Sequence, residues 1–197
     1  MTSVNRALVI MAKAPRPGSV KTRLGERFPL EAVTELYRCF LKDTIALAQA
    51  LDRVEIAIMC PASDVEGLSR VVAETVRIVP QTGQGLAAGL ASVFKHFATP
   101  SHQRVIAFNS DSPHLPASVL EAAFNILETC DLVVGPTHDG GYYLVGARTS
   151  HPGLFSNDGM GTAIALEALL ARARELGRSQ STRGRTTAPT RESAKNR

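Results

Sequence analysis

Short apolar runs alternate with longer amphipathic stretches along most of this chain. Residues 29–51 place apolar side chains at intervals of three and four, which is typical of a helix that packs one face on a core. On the same grounds, helices are predicted at residues 64–73 (capped by Asp64), 86–97, 117–129 and 161–176. Strands are predicted at residues 6–12, 54–60, 76–79, 104–108, 132–134 and 142–145. Strands separated by helices imply a single-domain α/β fold, with a mostly parallel sheet flanked by helices on both faces.

The size and composition of the chain fit one such domain. Its 197 residues are enough for one substantial core, and its 44% of hydrophobic residues indicate a globular chain. No apolar run approaches the roughly 18 residues of a membrane span, and the N-terminus lacks the apolar core of a signal peptide. Cys39, Cys60 and Cys130 are odd in number and widely spaced, which favours reduced thiols. We expect a soluble, cytoplasmic protein without a membrane span.

The end of the chain differs from the rest in charge. Its cationic side chains are Arg178, Arg183, Arg185, Arg191, Lys195 and Arg197, against Glu192 alone. Because this excess outweighs the net charge of +4, residues 1–177 are close to neutral. The segment has no apolar periodicity, so we predict a domain at 1–177 and a disordered basic tail at 178–197. Only this tail favours nucleic acid as a partner, and we expect it to be solvated instead.

The loop after the first predicted strand carries four cations, Lys13, Arg16, Lys21 and Arg23. In open α/β sheets, phosphates bind at the loop between the first strand and the first helix. The glycine spacing fits neither the Walker pattern nor the Rossmann dinucleotide pattern. Pro15 and Pro17 remove backbone donors, so side chains would have to hold an anion there. A polyanionic ligand is the functional interpretation, and a solvated basic turn is the alternative.

Two further polar segments lie at strand ends. Asp111 comes just after the fourth predicted strand, between two serines. One carboxylate at that place suits Mg²⁺ or Mn²⁺, because phosphates and water complete the octahedron. An Asx turn is the alternative. The segment Asp139-Gly140-Gly141 precedes the last predicted strand, where its glycines would let a ligand approach the backbone closely. An ordinary turn is the alternative here.

These segments also carry motifs of a known family. The motifs are MAKAPxPGxVKTRL at residues 11–24, SDSP at 110–113 and GPxxDGGYYL at 135–144. In this order they resemble a bacterial family of glycosyltransferase-A-like (GT-A-like) proteins that includes glycosyltransferases assigned to arsenosugar biosynthesis. That family neighbours the molybdenum-cofactor and phospholactate nucleotidyltransferases. The resemblance covers about residues 7–176 and implies a Rossmann-related nucleotide-diphospho-sugar transferase fold.

The resemblance also implies roles for individual residues. The nucleotide would be bound by Lys13, Arg16, Gly18, Lys21, Arg23, Gln81, Gly83 and Ser110. The metal, Mg²⁺ or Mn²⁺, would be bound by Asp111. A small-molecule acceptor would lie beside Asp139, Gly140, Gly141 and Tyr142. The candidate catalytic residues are Lys21, which would face the phosphates, and Asp139, which would orient or deprotonate an acceptor hydroxyl.

The chain departs from the family pattern at three places. Gly85 and Gly89 stand where the family has Asp and Arg, and residues 160–162 replace a Trp-Ser-Thr segment. After Gly177 the chain passes into the tail, where the family continues into a further strand. The leading prediction is a glycosyltransferase that takes a nucleotide sugar as donor. One alternative is a guanylyltransferase-like nucleotidyltransferase that takes a nucleoside triphosphate and releases pyrophosphate. The other is a degenerate relative that binds nucleotide without turnover.

Overall fold

A seven-stranded sheet forms the centre of the molecule. The computed structural model describes residues 5–155 and 159–182. The strands are β1 Arg6–Met11, β2 Val54–Cys60, β3 Arg77–Pro80, β4 Arg104–Asn109, β5 Leu132–Pro136, β6 Tyr142–Ala147 and β7 Gln180–Thr182. The helices are α1 Thr22–Gly25, α2 Leu30–Gln49, α3 Val65–Ser69, α4 Gly85–Phe97, α5 Ala117–Ile126 and α6 Ala165–Glu175. The order of strands across the sheet is β3-β2-β1-β4-β6-β5-β7.

Four neighbouring strands make one half of the sheet parallel. β1 pairs in parallel with β2 on one side and with β4 on the other, and β3 extends the set beyond β2. β6 runs antiparallel to both of its neighbours, β4 and β5. The prediction of one α/β domain with a mostly parallel sheet is therefore confirmed. Because β1 to β4 run in the same direction, the loops that follow them meet at one edge of the sheet.

β1 shows why a continuous apolar run becomes a central strand. Leu8 and Ile10 pack into a core formed with α2, α3 and α5. Ala7 and Val9 point the other way, into a second core formed with α4 and α6. A strand covered by helices on both faces has apolar residues at successive positions rather than at alternate ones.

α3, α5 and α6 are shorter than their sequence patterns predict, and α5 ends at Ile126 rather than at residue 129. α3 ends at Ser69, after which the Val71 and Val72 N–H groups both donate to the Leu68 carbonyl in a closing turn. α6 begins only at Ala165, because the residues before it form turns instead. No helix among the described residues is long and apolar enough to cross a membrane.

A strand that the sequence analysis did not predict follows α6. β7 pairs in parallel with residues 132–134 of β5. The Asp131 carboxylate accepts hydrogen bonds from the Ser179 N–H at 3.1 Å and from its hydroxyl at 2.9 Å. Residues 180–182 therefore form an edge strand of the domain rather than part of a disordered tail. Backbone hydrogen bonds and Asp131 hold this polar segment, so apolar periodicity does not reveal it. The remaining tail residues, 183–197, lie outside the described part of the chain.

Candidate functional site

The loops that follow β1 to β4 enclose a cleft of about 1190 Å³. It lies at the edge of the sheet where open α/β folds bind their ligands. Three separate segments of the chain bring residues predicted for nucleotide and metal binding into its wall. These residues are Lys13, Lys21, Arg23, Gln81, Gly83, Ser110 and Asp111. The structure thus places most of the predicted nucleotide-binding residues, and the predicted metal ligand, in one cavity.

Arg16 does not belong to this wall. Its guanidinium pairs with the carboxylate of Asp64 and lines a smaller pocket elsewhere on the surface. Asp64 also accepts a hydrogen bond from the Ala14 N–H at 3.0 Å, and its side chain is only 5% exposed. A buried carboxylate needs such partners, and Arg16 supplies a cation. The structure therefore gives Arg16 a different contact from the predicted nucleotide phosphates.

The predicted role of Asp64 as a helix cap is wrong for the same reason. Its side chain makes no capping hydrogen bond to α3 and is directed to the basic loop instead. The loop is further shaped by a turn in which the Ser19 N–H donates to the Arg16 carbonyl at 3.1 Å. Gly18, also outside the described wall of the cleft, lies within this turn with φ 75°. Asp64 thus anchors the basic loop from outside the described wall of the cleft, while Lys13 and Lys21 of that loop line the wall.

Lys21 and Asp111 form an ion pair inside the cleft. The distance from Lys21 Nζ to Asp111 Oδ2 is 2.9 Å, and the two side chains are 25% and 41% exposed. The same ammonium lies 5.6 Å from the centre of the Phe40 ring, within reach of a cation–π interaction. Lys21 precedes α1 with φ 48° and ψ 41°, a left-handed conformation that is uncommon for a residue with a side chain. The predicted phosphate-binding loop and the predicted metal ligand are therefore in direct contact.

The Tyr37 side chain bridges the segments that follow β1 and β4. Its hydroxyl accepts the Lys13 N–H at 3.1 Å and lies 3.1 Å from the Ser110 hydroxyl. Burial raises the pKa of Tyr37, so the phenol stays protonated and can donate to Ser110. The Thr44 hydroxyl adds a hydrogen bond of 3.3 Å to the Ser110 carbonyl. Both side chains lie on the buried face of α2, where the sequence pattern indicates core packing, so no sequence signal separates them from it.

Gln81 shapes the third segment of the wall. Its side-chain amide donates hydrogen bonds to the carbonyls of Gly83 and Gly85, each at 3.1 Å. The same side chain explains why a glycine fits at position 89. A Cβ at Gly89 would lie 2.6 Å from Gln81 Oε1 and 2.8 Å from Met11 Cε. The absence of the family's larger residue at position 89 therefore leaves room for Gln81 to brace its own loop.

The predicted acceptor-side residues lie outside the described wall of the cleft. Asp139 sits in the turn between β5 and β6, where its Oδ1 accepts hydrogen bonds from the Thr137 hydroxyl and from the Gly141 N–H. Those two bonds, with a smaller contribution from the charge of Arg23, lower the pKa of Asp139. Gly140 is packed so tightly that a Cβ would lie 1.8 Å from the Ala163 carbonyl oxygen. Asp139 is therefore engaged by its own turn, and Gly140 is packed against the segment that precedes α6.

Tyr142 is directed into the fold. Its hydroxyl contacts the sulfur of Met160 at 3.5 Å, and burial raises its pKa to about 12. The Met160 that replaces part of a family motif thus makes a contact with a predicted acceptor-side residue.

The single carboxylate in the described wall of the cleft fits a divalent cation whose other ligands come from substrate phosphates and water. Among the described residues, no group of three or more His, Cys, Asp or Glu could hold a metal ion. Asp111 is the only acidic residue in the described wall of the cleft. Mg²⁺ and Mn²⁺ match this donor set, because phosphates and water supply their other ligands. A closed zinc site, with four protein ligands, does not match it.

The fold is that of the nucleotide-diphospho-sugar transferases. The chain belongs to the DUF2064 family, described as uncharacterized proteins conserved in bacteria, whose model matches residues 44–162. No curated protein matches the chain.

Several solved structures are similar to this chain. A protein from Desulfovibrio desulfuricans G20, assigned as a nucleotide-diphospho-sugar transferase, is 26% identical with a TM-score of 0.83, over 91% of this chain and 79% of that one. The inositol-1-phosphate CTP transferase of T. maritima is 15% identical with a TM-score of 0.57, over 92% and 86% of the two chains. Rv0371c of Mycobacterium tuberculosis H37Rv, in complex with manganese, is 14% identical with a TM-score of 0.55, over 92% and 88%. The last two share the fold.

Proposed function

We propose that this chain is a glycosyltransferase that binds a nucleotide sugar in the cleft and transfers the sugar to a small-molecule acceptor. The observation that carries the proposal is that three cations and one carboxylate line the same cleft at the ends of β1 and β4. The cations are those of Lys13, Lys21 and Arg23, and the carboxylate is that of Asp111, which pairs with Lys21. The similarity to the Desulfovibrio protein supports the transferase class.

The chain's own part in the reaction is electrostatic. Lys13, Lys21 and Arg23 would face the diphosphate of the donor. As the bond between sugar and diphosphate breaks, negative charge accumulates on the leaving oxygen, and fixed cations stabilise it. Charges held in place by a fold stabilise that state without first having to reorganise, as water must. Tyr37 would serve here by joining the Lys13 backbone to Ser110, which keeps the two walls of the cleft in register.

Asp111 would bind Mg²⁺ or Mn²⁺ together with the phosphates. When bound, the cation neutralises part of the charge on the departing diphosphate. The manganese complex of the similarly folded Rv0371c supports this choice of metal. The single carboxylate in the described wall of the cleft also supports it, since such an ion is held mainly by its substrate.

Asp139 would orient the acceptor rather than deprotonate it. Its lowered pKa makes the carboxylate a weak base at neutral pH, and Oδ1 already accepts two hydrogen bonds. An exposed carboxylate can still accept a hydrogen bond from an acceptor hydroxyl. The charge of Arg23, which lines the cleft, contributes to the lowered pKa of Asp139, and this supports an acceptor position on the cleft side of the turn.

The binding step is tested by thermal unfolding with nucleotide sugars and nucleoside triphosphates, each with and without Mn²⁺. At least one of them should stabilise the protein only when metal is present. A ligand at about 100 times its dissociation constant adds about 2.7 kcal/mol to the free energy of unfolding. Lys42→Ala and Asp43→Asn serve as matched controls, because both residues are exposed on α2 and lie outside the described wall of the cleft. If no nucleotide raises the unfolding temperature, the proposal is wrong.

The products then separate the possible reactions. Free nucleoside diphosphate released from a nucleotide sugar supports glycosyl transfer. Pyrophosphate released from a triphosphate indicates nucleotidyl transfer, the activity of the similarly folded CTP transferase. Binding without turnover across a broad panel of acceptors indicates a nucleotide-binding relative without catalysis.

A further inference from the structure

The ion pair of Lys21 and Asp111 places a cation of the protein on the carboxylate that would bind the metal. Nζ lies 2.9 Å from Oδ2, so the ammonium occupies one of the directions from which a metal would approach. With 41% of its side chain exposed, Asp111 is still accessible from the cleft. Among the described wall residues it is also the only acid, so it has no carboxylate neighbour to share the cation with.

A further contact supports Lys21 in this position. Its ammonium lies over the Phe40 ring, 5.6 Å from the centre of the ring. Lys13 differs in this respect. It lines the same cleft, but its N–H group bonds to Tyr37 and its ammonium forms no ion pair with Asp111 among the described residues. Two lysines of one cleft thus stand in different relations to the same carboxylate.

We infer that Lys21 is an internal counter-ion that keeps Asp111 from binding a divalent cation until a diphosphate draws the lysine away. The inference rests on the proposed function, since the diphosphate is that of the nucleotide donor. An anion of the ligand competes with Asp111 for Lys21, and the released carboxylate then binds the metal. Because the two binding events are linked, a bound metal must strengthen phosphate binding by the same factor by which bound phosphate strengthens metal binding. The affinity of the protein for metal alone is therefore low, and it rises when the nucleotide is bound.

The test measures the binding of Mn²⁺ alone, from the electron paramagnetic resonance signal of the free ion. Lys21→Met removes the charge and keeps an unbranched side chain. Partly exposed ion pairs are worth up to about 1 kcal/mol, so the variant should bind Mn²⁺ about fivefold more tightly than the wild type. Lys13→Met is the matched control, because it removes one charge from the same cleft without freeing Asp111. Its gain should be clearly smaller.

A double variant assigns the gain to Asp111. Lys21→Met combined with Asp111→Asn should lose the tighter Mn²⁺ binding, while its thermal unfolding in the absence of ligand stays cooperative. The inference is overturned if Lys21→Met binds Mn²⁺ no better than the wild type or no better than Lys13→Met. It is also overturned if the double variant keeps the gain. The proposed function fails on a different result, the absence of any nucleotide-induced stabilisation, so the two failures are distinguishable.

Discussion

The cleft and the β5–β6 turn both carry an aspartate near a strand end, but the two residues are held in different ways. Asp111 pairs with Lys21, which is far away in the sequence and belongs to another loop. Asp139 bonds to Thr137 and Gly141, its near neighbours in the same turn. A carboxylate that makes contacts across the fold can report on a ligand, because a ligand competes with those contacts. A carboxylate that accepts hydrogen bonds within its own turn mainly stabilises that turn.

The comparison extends to the other residues that shape each region. In the cleft, Asp64 bonds to the basic loop and Tyr37 joins the ends of β1 and β4. In the turn, Gly140 is fixed by its packing on Ala163. We therefore expect substitutions in the turn to act on stability, and substitutions of the cleft's exposed charges to act on ligand binding.

The largest effect is expected at Gly140. Its φ is 83°, and a Cβ would lie 1.8 Å from the Ala163 carbonyl oxygen, so Gly140→Ala forces both a strained backbone and a shift of the neighbouring segment. The strain costs about 1–2 kcal/mol and the clash about 1–3 kcal/mol more. Gly153→Ala is the matched control, because Gly153 has φ 84° but open space around it. Urea unfolding should show a clearly larger loss for Gly140→Ala. Equal losses would mean that the turn is not packed as described.

The next effect contrasts the two aspartates directly. Asp111→Asn should weaken Mn²⁺-dependent nucleotide binding by about 1.5–3 kcal/mol, the range of one charge-assisted interaction, and leave urea unfolding almost unchanged. Asp139→Asn should change nucleotide binding much less, because its carboxylate is engaged by its own turn. Calorimetric titration of both variants measures the difference. Similar losses of nucleotide affinity in the two variants would break the proposed distinction between the two regions.

Asp64 tests whether a contact behind the basic loop matters to the cleft in front of it. Asp64→Asn removes the charge that Arg16 pairs with while it keeps an acceptor for the Ala14 N–H. We expect a loss of about 1–2 kcal/mol in the free energy of unfolding and weaker nucleotide binding through the displaced loop. Asp52→Asn is the control, because its ion pair with Arg53 is exposed and such pairs contribute little. Unchanged nucleotide binding in Asp64→Asn would show that the loop does not depend on this anchor.

The sequence predicted the architecture of the molecule because burial leaves a periodic record. The apolar run of β1 and the amphipathic pattern of α2 follow directly from which faces are covered. It also placed the basic loop and Asp111 at strand ends, where ligands bind in open α/β sheets. Tyr37 and Asp64 were not predicted in their observed roles. Their partners lie tens of residues away, and a buried tyrosine on a helix has the same spacing whether or not its hydroxyl bridges two loops.

β7 escaped prediction for a different reason. Its residues are polar and few, so neither hydrophobic alternation nor β propensity marks them as a strand. What holds the strand is the backbone ladder to β5 and the two hydrogen bonds from Ser179 to Asp131. An edge strand of this kind can be recognised only when its partner strand is already placed.

The smallest effect is expected at Asp131. The hydrogen bonds from the Ser179 hydroxyl and N–H lower its pKa below the ordinary value of 3.8. A carboxyl group with a lowered folded-state pKa stabilises the fold at neutral pH, and this contribution is lost as the pH falls through the folded-state value. The stability difference between the wild type and Asp131→Asn should therefore be constant near pH 7 and become smaller as the pH falls below the ordinary value of 3.8. Because Asp131 is only partly buried, the difference in global stability should stay below about 1 kcal/mol. A local readout is sharper: trypsin should cleave after Arg178 faster in Asp131→Asn than in Asp43→Asn, since loss of the Ser179 contacts releases β7 from β5. Equal cleavage rates in these two variants would show that the backbone ladder alone holds the strand.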